Sequence, residues 1–388
     1  MPALPRPIRL LGWVSLLTDA ATEAVYPLLP VFITQVLGGP PIALGIVEGA
    51  AEATSSALKV FAGRWSDRLG VRKPIVVFGY TLSSLIRPLM AITTGWGHVF
   101  AIRVIDRIGK GLRSSPRDAM LAALAPPGER GRVFGYHWAM DHAGAAVGPL
   151  LAAVVLYLSP GNYRLLFALT IVPGLLAVAT LLRVPDTVPE PQRVRAVDMA
   201  TAPLGRPLKQ YLGILTVFTL GNSSDAFLLL QLSNAGVPLV GLTLLWSGQH
   251  ALKALITMHA GMLSDRFGRR TLIISGWIVY ASVYTGFAVS ETRDALIAWF
   301  LFYSTYAAAV EGSEKALVAD LTPDHLRATA FGWHAAVQGI GALLAGLLFG
   351  GLWQLWGAPV AFMTGAALAL VAALLLGVSH DLHGGGDH

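Results

Sequence analysis

Glu48, Glu52, Ser55 and Lys59 stand four, three and four residues apart. At 3.6 residues per turn that spacing draws one polar stripe along a single helix face. Asp19 and Glu23 are four apart and sit just before Tyr26-Pro27; Asn222 and Asp225 hold the corresponding place in the second half of the chain. Arg103, Arg107 and Lys110 share a helical spacing, with Arg87 upstream, and His250 lies one turn from Lys253. Glu311, Glu314 and Lys315 form a further cluster. Nearly all of these charges interrupt apolar runs. A charge in hydrocarbon costs at least about 2.5 kcal/mol on insertion scales, so these side chains must face water or a partner. Two kinds of chemistry fit them. A carboxylate that alternates between a buried setting and one beside a cation binds and releases a proton. Alternatively, buried ion pairs pin helices together while Lys59 extends toward the membrane interface.

The elements that carry these residues are apolar helices. Of 388 residues, 54% are hydrophobic and 13% charged, about half the usual charged share of a soluble domain. The mean hydropathy is +0.61. That excludes a disordered chain and an ordinary soluble enzyme. Apolar runs fall at 10–33, 41–62, 74–93, 97–112, 133–158, 164–182, 210–233, 237–262, 272–290, 295–313, 328–356 and 358–378. Each approaches the roughly 20 residues of a spanning helix, which predicts an all-α polytopic protein with twelve transmembrane helices. The short alternating segments of an outer-membrane barrel are missing. The first run continues through Asp19 and Glu23 and is read as an uncleaved helix rather than a signal peptide. There is no cysteine, so disulfides, thiolate metal sites and cysteine nucleophiles are excluded.

Seventeen Lys and Arg lie in one set of loops, among them Arg64, Arg113, Arg195 and Arg269; the alternate set holds Arg164 and Arg293. The basic loops therefore face the cytoplasm, with both termini inside a bacterial-type inner membrane. The net charge of +6 reflects this topology, and no nucleic-acid partner is needed.

The chain repeats itself. Gly63-Arg-Trp-Ser66-Asp67-Arg68-Leu-Gly70-Val-Arg72 recurs as Gly261-Met-Leu-Ser264-Asp265-Arg266-Phe-Gly268-Arg-Arg270, at an offset of 198 residues. Pro126, Arg130, Phe134, Gly135, His137, Ala139 and Gly144 recur at an offset of 197 as Pro323, Arg327, Phe331, Gly332, His334, Ala336 and Gly341. Two separate matches at nearly one offset mean a duplicated six-helix unit. The expected division is a bundle over 1–182, a cytoplasmic linker over 183–209, a second bundle over 210–379 and a tail over 380–388.

The doubled G-x-x-S-D-R-x-G-x-R loop resembles the signature of the major facilitator superfamily. The resemblance implies two pseudo-symmetric bundles with a substrate cavity between them, working by alternating access. Gly144-Ala-Ala-Val-Gly148-Pro149 is similar to an element of proton-driven exporters in that superfamily. Asp106-Arg107-Ile-Gly109-Lys110-Gly111 and Pro116-Arg117-Asp118 resemble a prokaryotic efflux-permease branch that includes nickel-resistance permeases. In the signature loops, Asp67 and Asp265 can accept charge-assisted hydrogen bonds and act as gates; the plainer alternative is a solvated loop that sets topology. Gly144 and Gly148 also fit a helix-packing seam, and His137 and His334 fit packing in the two halves.

No metalloprotease, nucleophile-elbow or nucleotide-phosphate motif is present, so no enzyme activity and no cofactor are expected. The reading is a secondary transporter, acting as a monomer in the bilayer, that exchanges protons for small organic or drug-like molecules. The alternative is efflux of a divalent metal such as nickel or cobalt. His380, His383 and His388 would serve that alternative as ligands, or else form a solvated tail.

Overall fold

The computed structural model describes residues 4–69, 71–126, 129–186, 204–323 and 326–379. Among them every regular element is helical. Twelve long helices follow in order: α1 (Arg6–Val36), α2 (Pro41–Leu69), α3 (Lys73–Ile92), α4 (Trp96–Leu124), α5 (Arg130–Leu158), α6 (Tyr163–Leu182), α7 (Arg206–Asn234), α8 (Leu239–Phe267), α9 (Arg269–Val289), α10 (Arg293–Asp320), α11 (Arg327–Trp356) and α12 (Ala358–Val378). Nine of these, in whole or in all but a residue or two, are long and apolar enough to cross a membrane. The three others, α2, α4 and α8, have 29 residues each, about 43 Å at 1.5 Å per residue. Their length suffices; it is their charges that lower their hydropathy. These are the helices of Glu48, Glu52 and Lys59, of Arg103, Arg107 and Lys110, and of His250 and Lys253. The chain is an all-α, multi-pass membrane protein. Large apolar side chains such as Tyr157, Leu158, Val172, Leu176 and Leu374 are exposed, as a surface that meets lipid requires.

The chain forms two compact units. One holds Met1–Gly39, Ala50–Arg193 and Val237–His250; the other holds Pro40–Gly49, Val194–Gly236 and Ala251–His388. The first turns of α2 and of α8 therefore each pack into the unit that does not hold the rest of their helix.

In the first unit, α1 runs along α5. Gly144 and Gly148 bring the α5 backbone onto the carbonyls of Leu16 and Ala20, leaving no room for a Cβ at either position. Small residues are what let helices approach this closely in lipid. Pro149 follows inside a helix that continues to Leu158. It withholds a donor from the preceding turn, and Ser247 of α8 donates to the neighbouring Ala146 carbonyl at 2.8 Å. In the same unit α3 meets α4, where a Cβ on Gly79 would lie 2.6 Å from the Gly109 oxygen, and the reverse. In the second unit, Gly45 and Gly49 of α2 press against Gly346 and Leu343 of α11 in the same manner. Its core is aromatic, with Phe218 stacked on Trp277 at 4.6 Å and Tyr280 on Tyr284 at 4.0 Å.

Gly148→Leu is expected to force α1 and α5 apart. Overpacking a tight seam costs about 1–3 kcal/mol, and here the obstacle is backbone. The check is thermal unfolding of the detergent-purified protein, with a lowered midpoint for Gly148→Leu and little change for a lipid-facing substitution such as Leu158→Val.

Candidate functional site

Among the described residues, two of the helix breaks carry an acid from the sequence reading. The first helical stretch of α1 ends at Glu23; a 3-10 turn then runs over Tyr26–Leu28. Pro27 and Pro30 cannot donate in the helical ladder, which accounts for the interruption. At this break the Glu23 carboxylate accepts from Trp246 Nε1 at 2.9 Å and lies 3.9 Å from His250 Nε2. Tyr26 packs its ring on Trp246 at 4.9 Å, and the Arg103 guanidinium sits 5.9 Å from the Tyr26 ring. Glu23, Tyr26, Arg103, Trp246 and His250 thus form one constellation inside the first unit. Trp246 was not singled out in the sequence; its only signal is that it stands one turn before His250.

The second break lies in α7, between Gly221 and Ala226. The exposed polar groups are answered by four tyrosines of α9 and α10. Tyr280 donates to the Gly221 carbonyl at 2.9 Å, and Tyr284 shares a hydrogen bond with Ser223 at 2.9 Å. Asn222 donates to Tyr306 at 3.4 Å, and Tyr303 donates to Asp225 at 2.7 Å. An interrupted backbone at membrane depth persists only where such partners exist. The tyrosines escaped the sequence reading because aromatic residues on an apolar helix look like ordinary core.

A cavity of about 300 Å³ opens within the first unit. Asp19, Lys59, Lys110, Arg113, Arg117 and Asp141 supply most of its charge, with Asp118 beside them. Arg117 pairs with Asp118 at 2.9 Å. Arg113 donates to Ser83 at 2.7 Å and lies 4.4 Å from the Tyr80 ring centre. Asp141 accepts from Ser15 and stands 3.7 Å from buried His137. Arg87 and Asp106 form a buried ion pair at 2.9 Å.

The α2 stripe is not uniform. Glu48 and Ser55 are buried, Glu52 is exposed and Lys59 is intermediate. Glu52 accepts from Ser56 at 3.3 Å and has Lys110, Lys59 and Arg107 as its neighbouring cations. Lys253 is partly buried on α8. In the second unit, Glu314 accepts from Gln338 at 3.3 Å and lies 3.6 Å from His334.

At the signature loops, Ser66 both accepts from the Val71 amide at its carbonyl and donates through its hydroxyl to the Val71 carbonyl at 2.9 Å, which closes the turn. Gly63 abuts Ser115 of α4. Gly268 has φ +84°, a left-handed conformation that glycine adopts without strain. The basic residues that end the loops cap helices of their own half: Lys73 donates to the Leu182 carbonyl at 3.1 Å, and Arg270 to those of Leu376 at 2.9 Å and Gly377 at 2.7 Å. Cations at helix C-termini are stabilising. Arg72 is partly buried. Gly70 and the tail histidines His380, His383 and His388 lie outside the described residues, as do Gly261 and the side chains of Asp67, Arg68, Asp265, Arg266 and Glu311. Among the described residues no three of His, Asp and Glu are grouped as metal ligands.

Comparison with known proteins follows the same lines. An MFS-type transporter of Methanocaldococcus jannaschii is 32% identical over 380 residues, covering 96% of this chain and 94% of that protein. The multidrug resistance protein MdtH of Photorhabdus laumondii is 30% identical over 132 residues, 34% of this chain and 33% of its own. Among solved structures, a POT family transporter in complex with 5-aminolevulinic acid shares the fold with a TM-score of 0.81 at 12% identity, covering 98% and 97% of the two chains. A D-xylose-proton symporter does so with a TM-score of 0.74 at 19% identity, covering 95% and 96%. A sequence profile of the Major Facilitator Superfamily matches residues 11–250 and 226–382. With its doubled signature loop and its twelve long helices, this chain belongs to the Major Facilitator Superfamily of transporters and is not an enzyme.

Proposed function

We propose that this transporter is a proton-coupled exporter of small organic molecules. It sits in the cytoplasmic membrane with both termini inside and works as a monomer. The bundles 1–182 and 210–379 are its two moving parts, joined by the linker 183–209. The observation that supports this reading most is the pair of helix breaks at matching positions of the repeat, each with an acid held by an aromatic hydrogen-bond donor: Glu23 by Trp246 and Asp225 by Tyr303. Discontinuous helices near the midplane are where transporters of this kind bind substrate and coupling ions. Glu23 beside His250, and Glu52 among Lys59, Lys110 and Arg107, are carboxylates whose partners are themselves ionisable or cationic. Exchange of such partners between two states is what proton coupling requires. The direction of transport draws support from the MdtH similarity over a third of the chain and from the Gly144, Gly148 and Pro149 element.

The signature-loop acids serve as gates in this reading. Asp67→Asn and Asp265→Asn are expected to slow alternation with little loss of expressed protein, the first more than the second. Uptake of substrate into inverted vesicles under an imposed pH gradient measures this, and a double variant with the unaltered rate contradicts the gating role.

A further inference from the structure

The cavity of the first unit has a chemical bias that narrows the substrate class; this step rests on the exporter reading above. Its hydroxyl protons are directed inward. Ser15 donates to Asp141, Thr18 to the Val14 carbonyl at 2.8 Å, Ser114 to the Lys110 carbonyl at 2.6 Å and Ser115 to the Lys59 carbonyl at 2.8 Å. Arg113 and Arg117 are engaged by Ser83, Tyr80 and Asp118. The ammonium groups of Lys59 and Lys110 stand apart from this. Both line the cavity; their ammonium groups face Glu52, which has both as neighbours, and Lys110 also faces Asp19, with no direct side-chain hydrogen bond fixing either lysine among the described residues. Each presents three N–H donors. Asp19 is the lining carboxylate that faces Lys110. The lining thus sets four cations, Lys59, Lys110, Arg113 and Arg117, against three carboxylates, Asp19, Asp118 and Asp141, in a space of about 300 Å³ that fits a small molecule.

We propose that Lys59 and Lys110 bind the anionic group, a carboxylate or a phosphate, of the transported molecule. Paired ammoniums in a partly desolvated pocket favour such a group and repel an organic cation. Substrates are then small organic acids, phosphate esters or zwitterions, not lipophilic cations.

The test is calorimetric titration and thermal unfolding of the full-length protein in detergent, with three probes: citrate, inorganic phosphate and tetraphenylphosphonium. Citrate or phosphate is expected to bind and raise the unfolding midpoint. Lys59→Gln and Lys110→Gln should each weaken that binding roughly tenfold, the loss of one charge-assisted contact. Lys59→Arg and Lys110→Arg, which keep the charge, should restore most of it and serve where a glutamine variant unfolds. Anion binding that is unchanged in the double glutamine variant overturns the assignment, as does stabilisation by tetraphenylphosphonium alone. The two levels separate cleanly in proteoliposomes. Export of the cation along a pH gradient without anion recognition defeats the anion site and leaves the exporter reading standing. Lysine-dependent anion binding with no pH-driven movement does the reverse.

Discussion

Proteoliposomes carrying Glu23→Gln or Glu52→Gln are expected to lose transport driven by a pH gradient, with the rate falling to that of empty vesicles. Glutamine keeps the size and one acceptor oxygen but cannot bind and release a proton. In at least one of the two variants, exchange of labelled for unlabelled substrate without a gradient should survive. That split separates a proton carrier from a substrate ligand, because loss of a ligand stops both. Glu23 has the stronger structural case, for its carboxylate is fixed by Trp246 and lies near His250. Glu52 has the stronger electrostatic one, with three cations around it. Asp19 and Asp225 are the next candidates. If all four acids tolerate their amides singly with pH-driven transport intact, proton coupling through these groups is refuted.

The second large effect concerns stability. Arg87 and Asp106 are 3% and 2% exposed and pair at 2.9 Å. Removing one partner of a buried pair leaves the other charge poorly compensated, at a cost of about 3–5 kcal/mol; Asp106 also faces Arg103, Arg107 and Arg113, so its loss should cost more than the loss of Arg87. Arg87→Met and Asp106→Leu should each lower the unfolding midpoint in detergent sharply. The double substitution should recover part of the loss of Asp106→Leu, since an apolar pair of similar volume is often no worse than the ion pair; the remainder belongs to Arg103, Arg107 and Arg113, which lose the same acid. Additive losses in the double variant would show that the two residues act separately.

Much of the fold was legible because lipid imposes simple rules. Length and hydropathy mark α1, α6 and α12 directly, and the doubled loop at Gly63 and Gly261 exposes the repeat. The charged helices α2, α4 and α8 are recognised as spans only when their charges are taken to face inward. The breaks were foreshadowed by Tyr26-Pro27 beside Glu23 and by Asn222 with Asp225. The partners were not. Glu23 and Trp246 are 223 residues apart, and helical periodicity tells which face a residue occupies but not what meets it. The α2 stripe illustrates the limit: four residues on one face range from fully buried Ser55 to exposed Glu52. The capping roles of Lys73 and Arg270 were hidden for the same reason. Their spacing places them in the signature loops, whereas the carbonyls they hold belong to α6 and α12, more than 100 residues downstream.

The most direct measurement of proton exchange is lumenal pH in proteoliposomes that start with no pH gradient and no membrane potential. The driving force is an imposed gradient of the compound that most stabilises the purified protein. Proton-coupled exchange predicts that movement of the compound in one direction drives protons in the other. The lumenal pH then shifts with the substrate flux, the shift disappears with a protonophore, and it is absent in Glu23→Gln or Glu52→Gln. Substrate flux at full rate with constant lumenal pH would contradict it.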